Sequence, residues 1–230
     1  MKCRGSPKAL ELPDCKTRFF TLTASALIMT NANIVTAQPN DGQMSNYNTI
    51  EAYIKEQSML IRQERPSDYD EVYNLVKAAF ATVYANGTEP DEQDYLNELR
   101  QKDVFIPELS LVVENDSGML IGQIVLYKTA IVTSHGNLTE LLLSPISVHP
   151  DYFRRGTARA MVDEALRIAK DMGFRAVFLC GDPTIYKKLG FVPSYQYGIF
   201  HKSDNTAEWS MVRELYGGSL NGILGTIDTV

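Results

Sequence analysis

The sequence predicts an α/β (α+β) domain in which a central mixed, mostly antiparallel sheet is flanked by helices. Three observations carry this reading. Apolar residues recur at helical spacing in Val72, Leu75, Val76, Ala79, Phe80 and Val83, and again in Ala158, Met161, Val162, Ala165, Leu166, Ala169 and Met172. Between these helices, apolar runs on both sides of Asn115-Asp116-Ser117-Gly118 read as a hairpin. Beyond the second helix, Ala176 to Cys180 reads as a short buried strand.

The chain has 230 residues, 44% hydrophobic and 22% charged, enough for one principal domain with a good-sized core. That domain is placed at residues 59–215, with 1–58 as an extension and 216–230 as a C-terminal tail. In the extension, Lys16 and Arg18 precede an apolar stretch from Phe19 to Met29, and Val35-Thr36-Ala37 supplies small residues before Gln38, the layout of a secretory signal. Glu11 and Asp14 upstream, and Thr21, Thr23 and Ser25 within the stretch, run against that layout. The alternatives are a disordered extension and an upstream start codon chosen in error, because Met59-Leu60-Ile61-Arg62 already reads as a first strand. A cytoplasmic protein is expected, or an exported one if residues 1–37 act as a signal peptide. Residues 38–58 are polar and read as a linker.

The elements follow in order. Leu60 to Gln63 is a strand, and Pro66-Ser67-Asp68 opens the first helix with Ser67 as its cap. Asn86-Gly87 breaks the pattern, and Pro90 suits the first position of a second helix carrying Tyr95, Leu96 and Leu99. Strands run from Leu109 to Glu114 and from Met119 to Val132, then a loop covers Thr133 to Asn137. The strand from Leu138 to Val148 is interrupted at Ser144-Pro145, where a proline has no N–H for the ladder, so a bulge or splay is expected. His149-Pro150-Asp151 turns the chain into the long helix, which Gly173 ends. Asp182-Pro183 caps and starts a brief helix that stops at Leu189-Gly190. Glu208 to Leu215 alternates and closes the sheet.

The formal charge of −6 lacks the basic field that holds nucleic acid backbones, so no nucleic acid partner is expected. No run of about 18 apolar residues occurs, so no membrane span is predicted and a soluble protein is expected. Cys3, Cys15 and Cys180 have neither disulfide nor zinc spacing, Cys180 reads as core, and no metal is expected. His135, His149 and His201 are scattered singly and read as surface or loop residues.

The most informative segment is Val148-His149-Pro150-Asp151-Tyr152-Phe153-Arg154-Arg155-Gly156-Thr157-Ala158: a strand end, a tight turn, then a helix start with a glycine in it. A helix start offers unpaired N–H groups and positive partial charge, a cradle for phosphate. Arg154, Arg155 and Arg159 crowd that same positive end, a conflict that a bound anion would remove. The other reading is that the arginines are solvated and the small residues serve packing. There is no G-x-x-x-x-G-K-[ST], and one glycine cannot supply a dinucleotide fingerprint.

This segment resembles the acyl-CoA pyrophosphate motif of the GNAT N-acetyltransferase superfamily, written Q/R-x-x-G-x-G/A after a V-x-P turn. Gly156 and Ala158 match its last two fixed positions, while Phe153 stands where glutamine or arginine is usual. Gly181 to Phe191 resembles the family's Y-x-x-x-G-F segment, especially that of an uncharacterised bacterial subset with a G-D-P start. The likeness covers residues 59–215 in the right order.

The resemblance implies acetyl transfer from acetyl-CoA, a co-substrate, to a primary amine by direct attack. It places CoA on Ile146 and Val148 at the splayed strand and on Arg154, Arg155, Gly156, Thr157, Ala158 and Arg159 at the helix start. Tyr186 would protonate the leaving thiolate. The family often takes the amine's proton with a carboxylate on the fourth strand; here that position is Ser144, and Glu140, four residues earlier, is the candidate base if strand alternation holds. Specificity would come from residues 80–107 and 133–137, where Glu89, Asp91, Glu92, Asp94 and Glu98 would attract a cation or simply form a solvated helix face. The partner is a small-molecule or peptide amine, and the protein a monomer or homodimer. The rival reading, raised by Phe153 and the missing carboxylate, is a non-catalytic acyl-CoA-binding module.

Overall fold

The computed structural model describes residues 59–84 and 89–228; the expectations for residues 1–58 and the break at Asn86-Gly87 lie outside the described residues. Strand β1 (Met59–Gln63) pairs antiparallel with β2 (Ser110–Asn115), and β2 with β3 (Leu120–Thr133). Strand β4 (Gly136–Val148) continues the antiparallel series, and β5 (Ala176–Cys180) joins β4 in parallel. The sheet is therefore mixed and mostly antiparallel, as its hydrophobic patterning predicts.

Helix α1 (Tyr69–Ala81) buries Val72, Leu75, Val76, Ala79 and Phe80, the stripe predicted for it, although the helix stops short of Val83. Its start differs from expectation. Ser67 is exposed, and it is the Asp68 carboxylate that accepts the Arg65 N–H at 2.8 Å while holding Arg62 at 2.6 Å. A charged acceptor already locked by a guanidinium outcompetes a solvated hydroxyl for that amide. Helix α2 (Glu92–Leu99) begins after Asp91, so Pro90 precedes the helix instead of occupying its first position; the Pro90 carbonyl accepts from the Gln93 side chain at 2.6 Å. The expected loop at 133–137 is tighter than the sequence suggests, because pairing of β3 with β4 runs as far as Thr133↔Gly136.

Helix α3 (Thr157–Asp171) lays Met161, Val162, Ala165, Leu166 and Ala169 on one face of the sheet, against Ile121, Ile124, Leu126, Leu141 and Leu143. Met172 is 44% exposed, so the stripe ends one turn earlier than predicted. Helices α1 and α2 cover the other face over Val112 and Val125. Each such buried aliphatic side chain contributes about 1.5–3 kcal/mol, which makes these two layers the main source of stability.

After β5, helix α4 (Pro183–Tyr186) leads to β6 (Val192–Pro193), β7 (Ile199–His201), β8 (Ser210–Glu214) and β9 (Gly225–Ile227). Strand β8 does not close the sheet: it lies between β5 and β6 and buries Ser210, Met211 and Val212 in succession. Residues past 215 do not form a plain tail either. Strand β9 pairs with β3 and β7, Leu220 and Ile227 are buried, and a Cβ on Gly225 would stand 2.7 Å from the Val132 carbonyl oxygen. Among the described residues, no helix is long and apolar enough to cross a membrane.

Candidate active site

The break at Ser144-Pro145 shapes the site. Ile124 pairs with Ile146 and Leu126 with Leu143, so two residues of β4 oppose one of β3, the count of a β-bulge. The bulge changes which residues face α3: Leu141 and Leu143 before it, Ile146 and Val148 after it. On the other side, β4 pairs with β5 at Leu141↔Val177 and Leu142↔Phe178 and then parts from it, leaving the backbone around Ile146 and Val148 beside a cleft.

The second wall is the start of α3. Arg154 has φ 64 and Gly156 φ 86, two left-handed residues in the turn that delivers the chain into the helix. For Arg154 that conformation costs about 1–2 kcal/mol relative to a right-handed one, and alternating handedness turns successive amides toward a common point. The first turn of α3 carries no acidic residue, so its positive end is uncompensated by its own side chains. A Cβ on Gly156 would meet nothing within 4 Å, so the turn is open to a ligand.

The three arginines separate. Arg154 lines the cleft; Arg159 also lines it while donating to the Lys188 carbonyl at 2.6 Å; Arg155 instead lies over the Tyr152 ring at 4.9 Å. Phe153, Thr157 and Ala158 line the cleft as well.

Tyr186 forms the third wall. The Asp182 carboxylate caps α4 through the Thr184 N–H at 2.8 Å, Pro183 starts the helix, and Tyr186 ends it with its ring 6% exposed and edge-on to Phe191 at 6.0 Å. The resulting cavity has a volume of about 320 Å³ and reaches Ala79 of α1 and Thr82 and Val83 just past its end. Thr82 and Val83 belong to the segment 80–107 expected to set specificity, whereas sequence reasoning missed Ala79 and Ser147. A polar residue flanked by Ile146 and Val148 at the end of a buried strand was the available signal for the latter.

Glu140 is elsewhere. Six residues of strand, roughly 20 Å, separate it from Ile146. Its carboxylate is buried and accepts the N–H groups of Arg175 at 2.9 Å and Ala176 at 3.3 Å, the amides that enter β5. Burial pushes the Glu140 carboxyl above the usual carboxylate range, opposed by those two hydrogen bonds and by the Arg175 charge. It anchors two strands and does not reach the cleft. Three of the acidic residues of the 80–107 region are engaged outside the cavity lining: Glu92 accepts from Tyr84 at 2.7 Å, Asp94 from Tyr73 at 3.0 Å, and Glu89, ahead of α2, lies 3.9 Å from Lys77. His201, expected at the surface, is buried with its ring 4.5 Å from Trp209 and 2.9 Å from the Ser203 hydroxyl. An imidazole set edge-on to an indole and hydrogen-bonded to a hydroxyl is at home in a core.

The Acetyltransferase (GNAT) domain family matches residues 60–194. Among solved structures, a GNAT family N-acetyltransferase (YhbS) from Escherichia coli in complex with CoA is 26% identical, over 75% of this chain and 89% of that one, with a TM-score of 0.65. A GNAT family acetyltransferase from Brucella melitensis, in complex with acetyl-CoA, is 24% identical over 75% and 96% of the two chains with a TM-score of 0.59. An acetyltransferase of the GNAT family from Staphylococcus aureus is 13% identical over 69% and 100%, with a TM-score of 0.51. None of the curated proteins is matched by this chain. With more than half its length matched by the domain and the same sheet-and-helix plan around its cleft, the chain belongs to the GNAT acetyltransferase family.

Proposed function

We propose that this chain transfers the acetyl group of acetyl-CoA to a primary amine of a small molecule or peptide by direct attack. The observation that carries this reading is the meeting, in one cavity, of a left-handed turn at a helix start, a parted strand edge and a buried tyrosine. The residues fit the co-substrate. Amides of residues 154–159 suit a diphosphate, with Gly156 leaving room and Arg154 adding charge, and the free edge at Ile146 and Val148 suits the amides of a pantetheine arm. Acetyl-CoA supplies an activated thioester.

An N–H from residues 146–148 polarises the carbonyl and stabilises charge on its oxygen. Tyr186 hands its phenolic proton to the departing thiolate. No carboxylate stands among the described residues lining the cleft, so the proton of the attacking ammonium leaves through water. Phe153, in place of a glutamine or arginine, gives the diphosphate an apolar neighbour, which leaves the main chain as its principal holder.

Calorimetry with CoA, followed by thiol release from acetyl-CoA across a panel of primary amines, tests the proposal. Wild type binds and releases thiol; Tyr186→Phe binds CoA with near-normal affinity and loses about 10²-fold or more in turnover. Failure of wild type to bind CoA would overturn the reading, and equal loss of affinity and turnover in the variant would remove Tyr186 from its acid role.

A further inference from the structure

Ser147 and Gln123 are cross-strand partners on β4 and β3. Both point away from α3. Their neighbours Ile146 and Val148 face the α3 core, and a Cβ on Gly122 would stand 3.0 Å from the Met161 sulfur of α3, so alternation sends Ser147 and Gln123 to the α1 face. There Gln123 is fully buried and Ser147 is 3% exposed. Neither the amide oxygen nor the amide nitrogen of Gln123, nor the Ser147 hydroxyl, has a hydrogen-bond partner among the described residues. Folded proteins rarely leave one such buried group unsatisfied, and here three polar atoms sit together on one cross-strand pair.

The place of the pair gives the shortfall a meaning. Ser147 lines the cleft together with Ala79 of α1 and with Thr82 and Val83 just past its end, on the face of β4 opposite the side chains of Ile146 and Val148, and Gln123 adjoins it on β3 without lining the cleft itself. The cluster packed beneath α1 there is apolar, with Phe80, Val112 and Val125, and no carboxylate among the described residues lines the cleft to balance a cationic group. We infer that Gln123 and Ser147 form a recognition site for a neutral, hydrogen-bonding group of the acceptor, a carboxamide or equivalent, and so set which amines are acetylated. A carboxamide suits it because Gln123 presents one acceptor and two donors in a plane and Ser147 adds a hydroxyl that does either. The inference rests on the proposed acetyl transfer, since it concerns that reaction's second substrate.

The test needs no knowledge of the natural acceptor. CoA is joined through an S-CH2-CO-NH linkage, which mimics acetyl already bonded to amine, to two families of tails with spacers of one to three methylenes: one ending in a carboxamide, the other in the isosteric isopropyl group. Each adduct is titrated calorimetrically into wild type, Gln123→Met and Ser147→Ala. Two hydrogen bonds correspond to about a tenfold gain, so at one spacer length the carboxamide adduct binds wild type about tenfold tighter than its apolar isostere. Gln123→Met abolishes that ratio, and Ser147→Ala lowers it about threefold. Unliganded Gln123→Met melts at the wild-type temperature or higher, because it removes a buried amide that bonds to nothing in the protein. The inference is overturned if no carboxamide adduct outbinds its isostere, if the ratio survives both substitutions, or if Gln123→Met melts several degrees lower, which would make the amide structural. Failure of CoA itself to bind would instead bring down the acetyl-transfer reading.

Discussion

Gly181 lies beneath the ring of Tyr186: a Cβ at position 181 would stand 2.1 Å from Cε2 and 2.5 Å from Cδ2 of the tyrosine. Either the ring or the turn after β5 must yield if that glycine gains a side chain, and the ring is the group proposed to deliver a proton. Gly181→Ala is therefore expected to lower kcat by about 10²-fold through misplacement of the phenol, with CoA affinity changed far less. Steady-state kinetics beside calorimetry checks this; a normal kcat would show that the acid does not depend on the position of Tyr186.

Much of this was legible in the sequence because it rests on periodicity. The stripes of α1 and α3 repeat at helical spacing over several turns, and the Ser144-Pro145 break announces itself by a missing N–H. What escaped is non-local. Strand β9 is three residues long with one buried apolar side chain, Ile227, so no alternation betrays it, and only its pairing with β3 and β7 makes it a strand. Glu140 was placed on the face of Ser144 by counting residues, but counting does not reveal that two amides of β5 consume its carboxylate. The place of Ala79 in the cleft was likewise invisible, since it depends on how a helix crosses a sheet and not on what the helix contains.

Gly156 has φ 86 and open space where a Cβ would go, so substitution there brings backbone strain without collision. Gly156→Ala is expected to lose about 1–2 kcal/mol of stability and to weaken CoA binding severalfold as the turn relaxes away from its left-handed geometry. Gly156→Asn, whose residue type tolerates that geometry better, should recover part of both. Thermal melts and calorimetry on the two variants check the order; Asn no better than Ala would mean that the handedness of the turn does not matter.

The Arg62 guanidinium holds the Asp68 carboxyl below the usual carboxylate range, and Asp68 also accepts the Arg65 N–H at the entry to α1. A carboxyl whose folded pKa lies below its unfolded value adds stability at pH above the unfolded value and loses it as pH falls through the folded one. Asp68→Asn should therefore cost about 2 kcal/mol at neutral pH, and the gap to wild type should close as the solution is acidified below about pH 4. Denaturant melts at several pH values measure this; a gap independent of pH would assign the role of Asp68 to its hydrogen bonds alone.

Glu140 gives the opposite sign. Burial raises its carboxyl, more than the two backbone N–H groups and Arg175 lower it. A folded pKa above the unfolded one means a contribution fully present below the unfolded value and lost as pH rises through the folded value. Glu140→Gln keeps an oxygen for the Arg175 and Ala176 amides and carries no charge to desolvate. It should thus equal or exceed wild type in stability at neutral pH and lose that advantage in acid. Glu140→Ala leaves both amides without their acceptor and should cost about 1–3 kcal/mol for each. Because the carboxylate stands roughly 20 Å of strand away from Ile146, Glu140→Gln should also leave the pH dependence of kcat in place. A turnover loss of about 10²-fold or more in a folded Glu140→Gln protein would return Glu140 to the role of base and require the cleft to extend past Leu142.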